Sequence, residues 1–220
     1  MKTTSLLASI CAGIIALPAA AIAQDITPPA LVKSADAIAK ARADSSRYPY
    51  TTADIDFMRG MIHHHSQAIV MSRWAPTHGA SPQVVTLCAR IINAQNDEIR
   101  LMSQWLMDRN QEVPAPTAGP MKMKMNGMEM DMLMPGMLTE AEMKELDQSR
   151  EKDFDVKFLR GMLKHHAGAT GMVKDLLGTY GAAQDEMAAK LAQDINIDQL
   201  TEIARMEKML AIRLGIIDPS

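Results

Sequence analysis

The sequence predicts an all-α protein, a four-helix bundle built from two duplicated helical hairpins joined by a long methionine-rich linker. Three observations carry that expectation. An apolar stripe bearing paired histidines appears twice, about a hundred residues apart; each copy is followed by a second stripe bearing a glutamine and a glutamate; and the stretch between the halves is broken by prolines.

The first stripe lies in "FMRGMIHHHSQAIVM", residues 57–71. At about 100° per residue, and with Met61 set to zero, His65 falls near 40°, Ala68 near 340°, His64 near 300° and Met71 near 280°. His63 falls near 200° and is expected on the surface. "FLRGMLKHHAGATGM", residues 158–172, repeats the pattern in register: Met162 answers Met61, His165 and His166 answer His64 and His65, and Met172 answers Met71. Lys164 stands where His63 stands, so the inward pair is the shared feature.

The second stripe aligns "IINAQNDEIRLMSQWL" (91–106) with "INIDQLTEIARMEKML" (195–210), matching Gln95 to Gln199, Glu98 to Glu202 and Met102 to Met206. A carboxylate and an amide thus share an otherwise apolar face in both halves. Two such hairpins cannot bury their stripes alone, and pairing them encloses both.

The elements follow in order. Residues 1–23 read as a secretory signal: Lys2, an apolar run from Leu6 to Leu17, and Ala21-Ile22-Ala23 as a small-residue cleavage site. The run is too short for a membrane span, and Cys11 lacks the context of a lipid anchor. An extension over 24–51 precedes the first hairpin repeat, 52–110, with helices expected from Thr52 to Ala75 and from Pro82 to Asn110. Ser81 is placed to cap the second, with Pro82 at its first position. The linker spans 111–138. The second repeat spans 139–214; Thr139 with Glu142 forms a capping box that opens its first helix. Gly60 and Gly161, inside helices at a cost of roughly 1 kcal/mol relative to alanine, suggest that another helix approaches closely there.

Removing Lys2 with the leader leaves 22 basic against 26 acidic side chains, a charge of −4 with histidines neutral. This gives no argument for a nucleic-acid partner or an anionic membrane. Cys88 would be the single remaining cysteine, which excludes an intramolecular disulfide. Cys88 reads as a small buried residue, His78 as surface.

The linker holds Met121, Met123, Met125, Met128, Met130, Met132, Met134 and Met137, eight methionines in seventeen residues. Lysine, glutamate, glycine and proline interleave so closely that neither a helical nor a strand period is expected to persist. Thioether sulfur is a soft donor, poor for magnesium, calcium or zinc and good for Cu(I); Ag(I) shares that softness, and imidazole also takes Cu(II). A site combining Met61, His64 or His65, Met71 and Met102, and its counterpart from Met162, His165 or His166, Met172 and Met206, selects copper. A di-iron bundle needs Glu-x-x-His on two helices, whereas this chain has Met61-x-x-His64 and Met162-x-x-His165. Glu98 and Glu202, as lone carboxylates, more naturally hydrogen-bond a liganding imidazole. Imidazoles of ordinary pKa would release copper between about pH 6 and 4.5.

The paired "F-x-R-G-M-x-x-H-H…A…M" helices, each followed by "Q-x-x-E-I-x-x-M", resemble the exported family catalogued as domain of unknown function 305, from about Asp54 to Leu214. The resemblance implies a ferritin-like helical bundle, copper binding and a part in copper resistance, resting on the same histidines and helical methionines. The expected function is that of a non-enzymatic periplasmic protein that sequesters or delivers Cu(I), with Cu(II) and Ag(I) as further ions and a copper exporter or periplasmic copper carrier as candidate partner. Trp105, matched by Met209, could make the two sites unequal. A copper-dependent redox enzyme is the alternative, and a metal-free helical interaction module the third reading.

Overall fold

The computed structural model describes residues 35–218 apart from 48 and 126–127. The expected signal segment and residues 24–34 of the extension lie outside the described residues. Among the described residues the chain forms six helices and one two-stranded sheet: α1 (Ala35–Arg47), α2 (Thr52–Trp74), α3 (Pro82–Asp108), β1 (Met121–Met125), β2 (Met128–Met132), α4 (Glu140–Gln148), α5 (Glu151–Gly178) and α6 (Glu186–Arg213).

The four long helices pack α2 on α3, α5 on α6, α2 on α5 and α3 on α6. Local signals explain their ends. Ser81 occupies the N-cap of α3 with Pro82 behind it, and its amide donates to the Asp155 carboxylate, 3.1 Å away. Thr139 and Glu142 make the expected capping box, with the Thr139 amide 2.8 Å from the Glu142 carboxylate. Asp185 caps α6 and also accepts from the Trp105 indole at 2.9 Å and from Arg109. Trp105 therefore serves the α6 N-terminus, not the histidine layer.

Two stripes differ from a uniform core in what they bury. One apolar cluster joins Met61 and Met102 to Ala169, Val173 and Ile195, with Met172 packed against it; the other joins Met71 to Phe158, Met162 and Met206. Met71 and Met172 thus cross to the opposite half.

The chain is mostly helical, as expected, and the departure lies in the linker. "MKMKMNGMEMDM" is an antiparallel hairpin whose register pairs Met121 with Met132, Met123 with Met130 and Met125 with Met128, while Lys122 faces Asp131 and Lys124 faces Glu129. Methionine at every second position is the period of a strand, with residues of opposite charge in register at the intervening positions. The interleaved charges read as disruption of period are its polar half, and Asn-Gly is a strong hairpin-turn signal.

Nor is the rest of the linker, a strap of residues 111–120 and 133–138 on either side of the hairpin, a bare spacer. Gln67 in α2 grips it twice: its amide nitrogen donates to the Leu138 carbonyl at 2.9 Å and its oxygen accepts from the Leu138 amide at 2.6 Å. Met121, Met134 and Met137 are buried together, with Met132 and Met172 against them. A Cβ on Gly60 would meet Met134 Sδ at 2.8 Å and Met172 Cε at 3.4 Å, and one on Gly161 would meet Leu138 at 3.2 Å and Met71 Cε at 3.4 Å. The two helix glycines make room for a strap side chain and the facing helix's methionine, not for the backbone of another helix.

His63 and His78, expected on the surface, are both buried. The strap covers His63, whose Nδ1 donates to the Thr117 carbonyl at 3.2 Å. The α4–α5 junction closes over His78: its Nε2 donates to the Asp147 carbonyl at 2.9 Å, and its own carbonyl accepts from the Glu151 amide at 2.7 Å. That junction is a break after Ser149, the backbone resuming at Glu151 with φ of 53°. Helix α1, packed on α3, lies in the extension, where no helix was expected.

Candidate metal centre

The histidine pairs of α2 and α5 meet between the two halves. The rings of His64 and His165 lie 3.7 Å apart centroid to centroid, inclined by 40°. His65 and His166 flank them, each ring a little over 6 Å from its own neighbour in sequence. All four side chains are fully buried.

Their hydrogen bonds fix how each ring presents itself. His65 Nε2 lies 2.7 Å from Glu98 Oε2, and His166 Nε2 lies 2.6 Å from Glu202 Oε2. His64 Nε2 lies 3.0 Å from the carbonyl oxygen of Pro135 on the strap. A carbonyl only accepts, so Nε2 of His64 carries the hydrogen; a carboxylate imposes the same tautomer on His65 and His166. In the neutral form of each ring the lone pair is left on Nδ1. Nδ1 of His64, His65 and His166 and both nitrogens of His165 are buried without a hydrogen-bond partner. Oxygen acceptors behind one nitrogen with the other nitrogen bare is the arrangement that orients imidazole toward a metal.

Electrostatics keeps two of these rings, His64 and His165, in the binding form. Burial, and then His65, push His64 down to about 3. Burial, then His64 and His166, hold His165 well below the ordinary histidine range. Neutral imidazole is the metal-ligating form, so release by protonation of this pair moves below the pH 6 to 4.5 window expected for ordinary histidines.

The helical methionines share the buried helix faces of this layer. Met61 and Met162 sit one turn before His64 and His165, and Met61, Met71, Met102, Met162 and Met206 are all fully buried. The grouping crosses between halves, Met71 with Met162 and Met206, Met172 beside Met61 and Met102. Among the described residues no three His, Cys, Asp or Glu side chains converge to hold an ion; an ion seated at this layer would need further donors, which the thioethers can supply. Of the linker methionines, Met121, Met134 and Met137 are buried together while Met128 and Met130 are exposed. Met123 and Met125 are placed by register alone. Cys88 is buried, and burial pushes its thiol far above its ordinary range, which suits a packing role.

Two features escaped the sequence reading. The Pro135 carbonyl has no side-chain signal. The cleft between α3 and α6, lined by Gln95, Glu98, Asp198, Gln199 and Glu202, depends on how two helices pack. There burial, then Glu98 and Glu202, raise the Asp198 carboxyl above its usual range.

Fold and site define a mostly helical protein with a buried layer of histidines edged by thioethers. The chain belongs to the family described as Domain of unknown function (DUF305), which matches residues 54–210. A DUF305 protein of Streptomyces coelicolor superposes with a TM-score of 0.61 at 31% identity, over 73% of this chain and 93% of that one. CopM in its Cu(I)-bound form gives a TM-score of 0.53 at 26% identity, over 71% of this chain and 94% of that one. CopM has also been solved in Cu(II)-bound and Ag-bound forms, similar to this chain at 28% and 26% identity. An uncharacterized protein of Acanthamoeba polyphaga mimivirus is 39% identical over 56 residues, and the chain spans only 37% of that relative's length. Among the described residues no helix is long and apolar enough to cross a membrane.

Proposed function

We propose that this chain is a periplasmic copper-binding protein that sequesters or delivers Cu(I), with Cu(II) and Ag(I) as further ions, in support of copper resistance. The observation that carries the reading is the buried imidazole layer with its unpartnered Nδ1 atoms. Leaving a buried polar group unmet costs about 1–3 kcal/mol, and a bound ion would meet several at once. The softness of the bordering methionines favours Cu(I). CopM, bound to copper and silver, supplies independent support.

In this reading the two hairpins are copies of one unit forming a ferritin-like four-helix bundle. Release occurs to a copper exporter or periplasmic copper carrier, and no substrate is turned over. Export through the leader accords with the Streptomyces relative, which is described as secreted.

The test is an anaerobic Cu(I) titration against a competing chelator, with copper counted per chain. Replacing His64, His65, His165 and His166 together by alanine should abolish the tightest sites and leave a helical protein. Wild-type affinity and stoichiometry in that variant would sink the reading. Oxygen consumption during sustained Cu(I) turnover would instead make it a redox enzyme.

A further inference from the structure

The imidazole layer has two sides of different chemistry. On the strap side lie the Pro135 carbonyl and the buried sulfurs of Met121, Met134 and Met137. On the other side, between α3 and α6, is a cleft of about 180 Å³, where roughly 10–15 Å³ admits one water. Glu98 and Glu202, which hold His65 and His166, form its inner lining together with Gln95 and Gln199; the exposed Asp198, Arg90 and Arg205 form its outer lining.

Gln95 is 1% exposed, and neither its amide oxygen nor its amide nitrogen has a partner. Oε1 of Gln199, equally buried, and Oε1 of Glu98 are also unpartnered. Buried amides nearly always find hydrogen bonds, and here the unmet oxygens recur at equivalent positions of both halves, facing one cleft. Leucine at either position would extend the apolar stripe at no such cost. Three carboxylates against two guanidiniums give the lining a net negative charge, which attracts cations. The donors are all oxygen, hard ligands that suit a hydrated divalent ion and not Cu(I). Among the described residues no three imidazole or carboxylate groups converge tightly enough for a bare ion, whereas the volume accommodates an ion with water around it.

We propose that the α3–α6 cleft is a port for hydrated Cu(II), which Gln95, Gln199 and Glu98 hold through its water and pass to the imidazole layer behind Glu98 and Glu202. The proposal rests on the histidine layer being a copper site, and it deepens that reading by giving the two oxidation states separate approaches: oxygen donors for Cu(II), thioethers for Cu(I). The amides act on the passage of the ion, and the imidazoles on its final binding.

The experiment measures association rates on the full mature chain by stopped flow, with Cu(II) from a weak buffer complex and, separately, Cu(I) from a chelator under anaerobic conditions. The Gln95→Leu/Gln199→Leu variant should take up Cu(II) at least tenfold more slowly, with Cu(I) uptake and equilibrium Cu(II) affinity unchanged. Gln95 has no side-chain partner and Gln199 lacks one at Oε1, so apolar side chains of similar size there are compatible with folding. Asp198→Asn, at an exposed position, gives a second reading: Cu(II) uptake should slow severalfold and lose part of its salt dependence. Unchanged Cu(II) rates in both variants would overturn the port. So would a fall in Cu(II) affinity matching the fall in rate, which would make the amides permanent ligands. Copper binding indifferent to the four histidines would instead overturn the underlying site, and the quadruple alanine variant separates the two failures.

Discussion

The His64 and His165 rings stack 3.7 Å apart at the meeting of α2 and α5, fully buried. Two imidazoles so placed cannot both carry charge. The pKa of His64 falls to about 3, and that of His165 falls well below 6.5, because burial excludes the protonated forms. In the unfolded chain both titrate near 6.5, so below that pH the unfolded state binds more protons than the folded one. Stability is therefore full above about pH 6.5 and declines as pH falls toward 3, by up to about 1.4 kcal/mol per pH unit for each group. Urea unfolding of the copper-free protein at pH 7, 6, 5 and 4 should show that decline. His64→Asn/His165→Asn should flatten most of it, and equal slopes in the two proteins would refute the assignment.

Copper should offset the same loss. A ligand that binds only the folded state adds RT ln(1 + [L]/Kd) to stability, and the depressed pKa of His64 keeps protons from displacing it. The Tm gap between Cu(I)-loaded and copper-free protein should therefore persist from pH 7 to 5. A gap that closes between pH 6 and 5 would mean that histidines of ordinary pKa hold the ion.

Glu98 and Glu202 should matter without being ligands. Each carboxylate accepts from one imidazole Nε2 and leaves Nδ1 free. Glu98→Ala removes that orientation and should weaken copper binding about 10–100-fold, the usual effect of losing such support. Glu98→Gln keeps an accepting oxygen and should recover much of it. Equal affinity in wild type and Glu98→Ala would assign the carboxylate to solvation of the cleft alone.

These residues also show what the sequence reveals. A 3.6-residue period places His64, His65, Gln95 and Glu98 on inward stripes, because helix geometry is local and regular. It cannot say which facing helix each side chain meets, so it groups Met71 and Met172 with their own hairpins, whereas packing sends each across. His63 lies outside the stripe as the wheel requires, yet the strap buries it through Thr117, a contact 54 residues away. The hairpin is locally legible in alternating methionines around Asn-Gly, but its charged residues mimic breaks in the period when they are in fact its second face.

The hairpin and the strap beyond it should separate in function. Met121 and Met132 are antiparallel partners, so a short Gly-Ser bridge can replace residues 121–132 without straining their ends. That deletion should lower the number of Cu(I) or Ag(I) ions bound and leave the tightest affinity and helical content nearly unchanged. Extending it through residue 137 removes the buried Met134 and Met137 and the His64 acceptor Pro135. The longer deletion should also lower Tm and the tightest affinity. An identical ion count in wild type and the shorter deletion would reduce the hairpin to a spacer.

The strap's seat can be tested with a single methyl group. Gly168 in α5 lies against the backbone of Pro135 and Gly136, and a Cβ there would overlap the Pro135 carbonyl oxygen. Gly136, at φ of 80°, closes the same contact from the other side, 2.6 Å from the Lys164 carbonyl for an added Cβ. Neither neighbour is a flexible side chain that could swing away, so Gly168→Ala must lift the strap, and overpacking of this kind costs about 1–3 kcal/mol. Gly171, one turn further along α5, has nothing within 4 Å of an added Cβ. Gly171→Ala should gain helix propensity, about 0.5–1 kcal/mol. The two variants make the same chemical change in the same helix and should move Tm in opposite directions. Because the Pro135 carbonyl holds His64 Nε2, Gly168→Ala should also weaken copper binding while Gly171→Ala leaves it alone. Thermal melts of both copper-free variants, followed by chelator competition, check the two effects separately, and stabilisation by Gly168→Ala would show that the strap is not seated on α5.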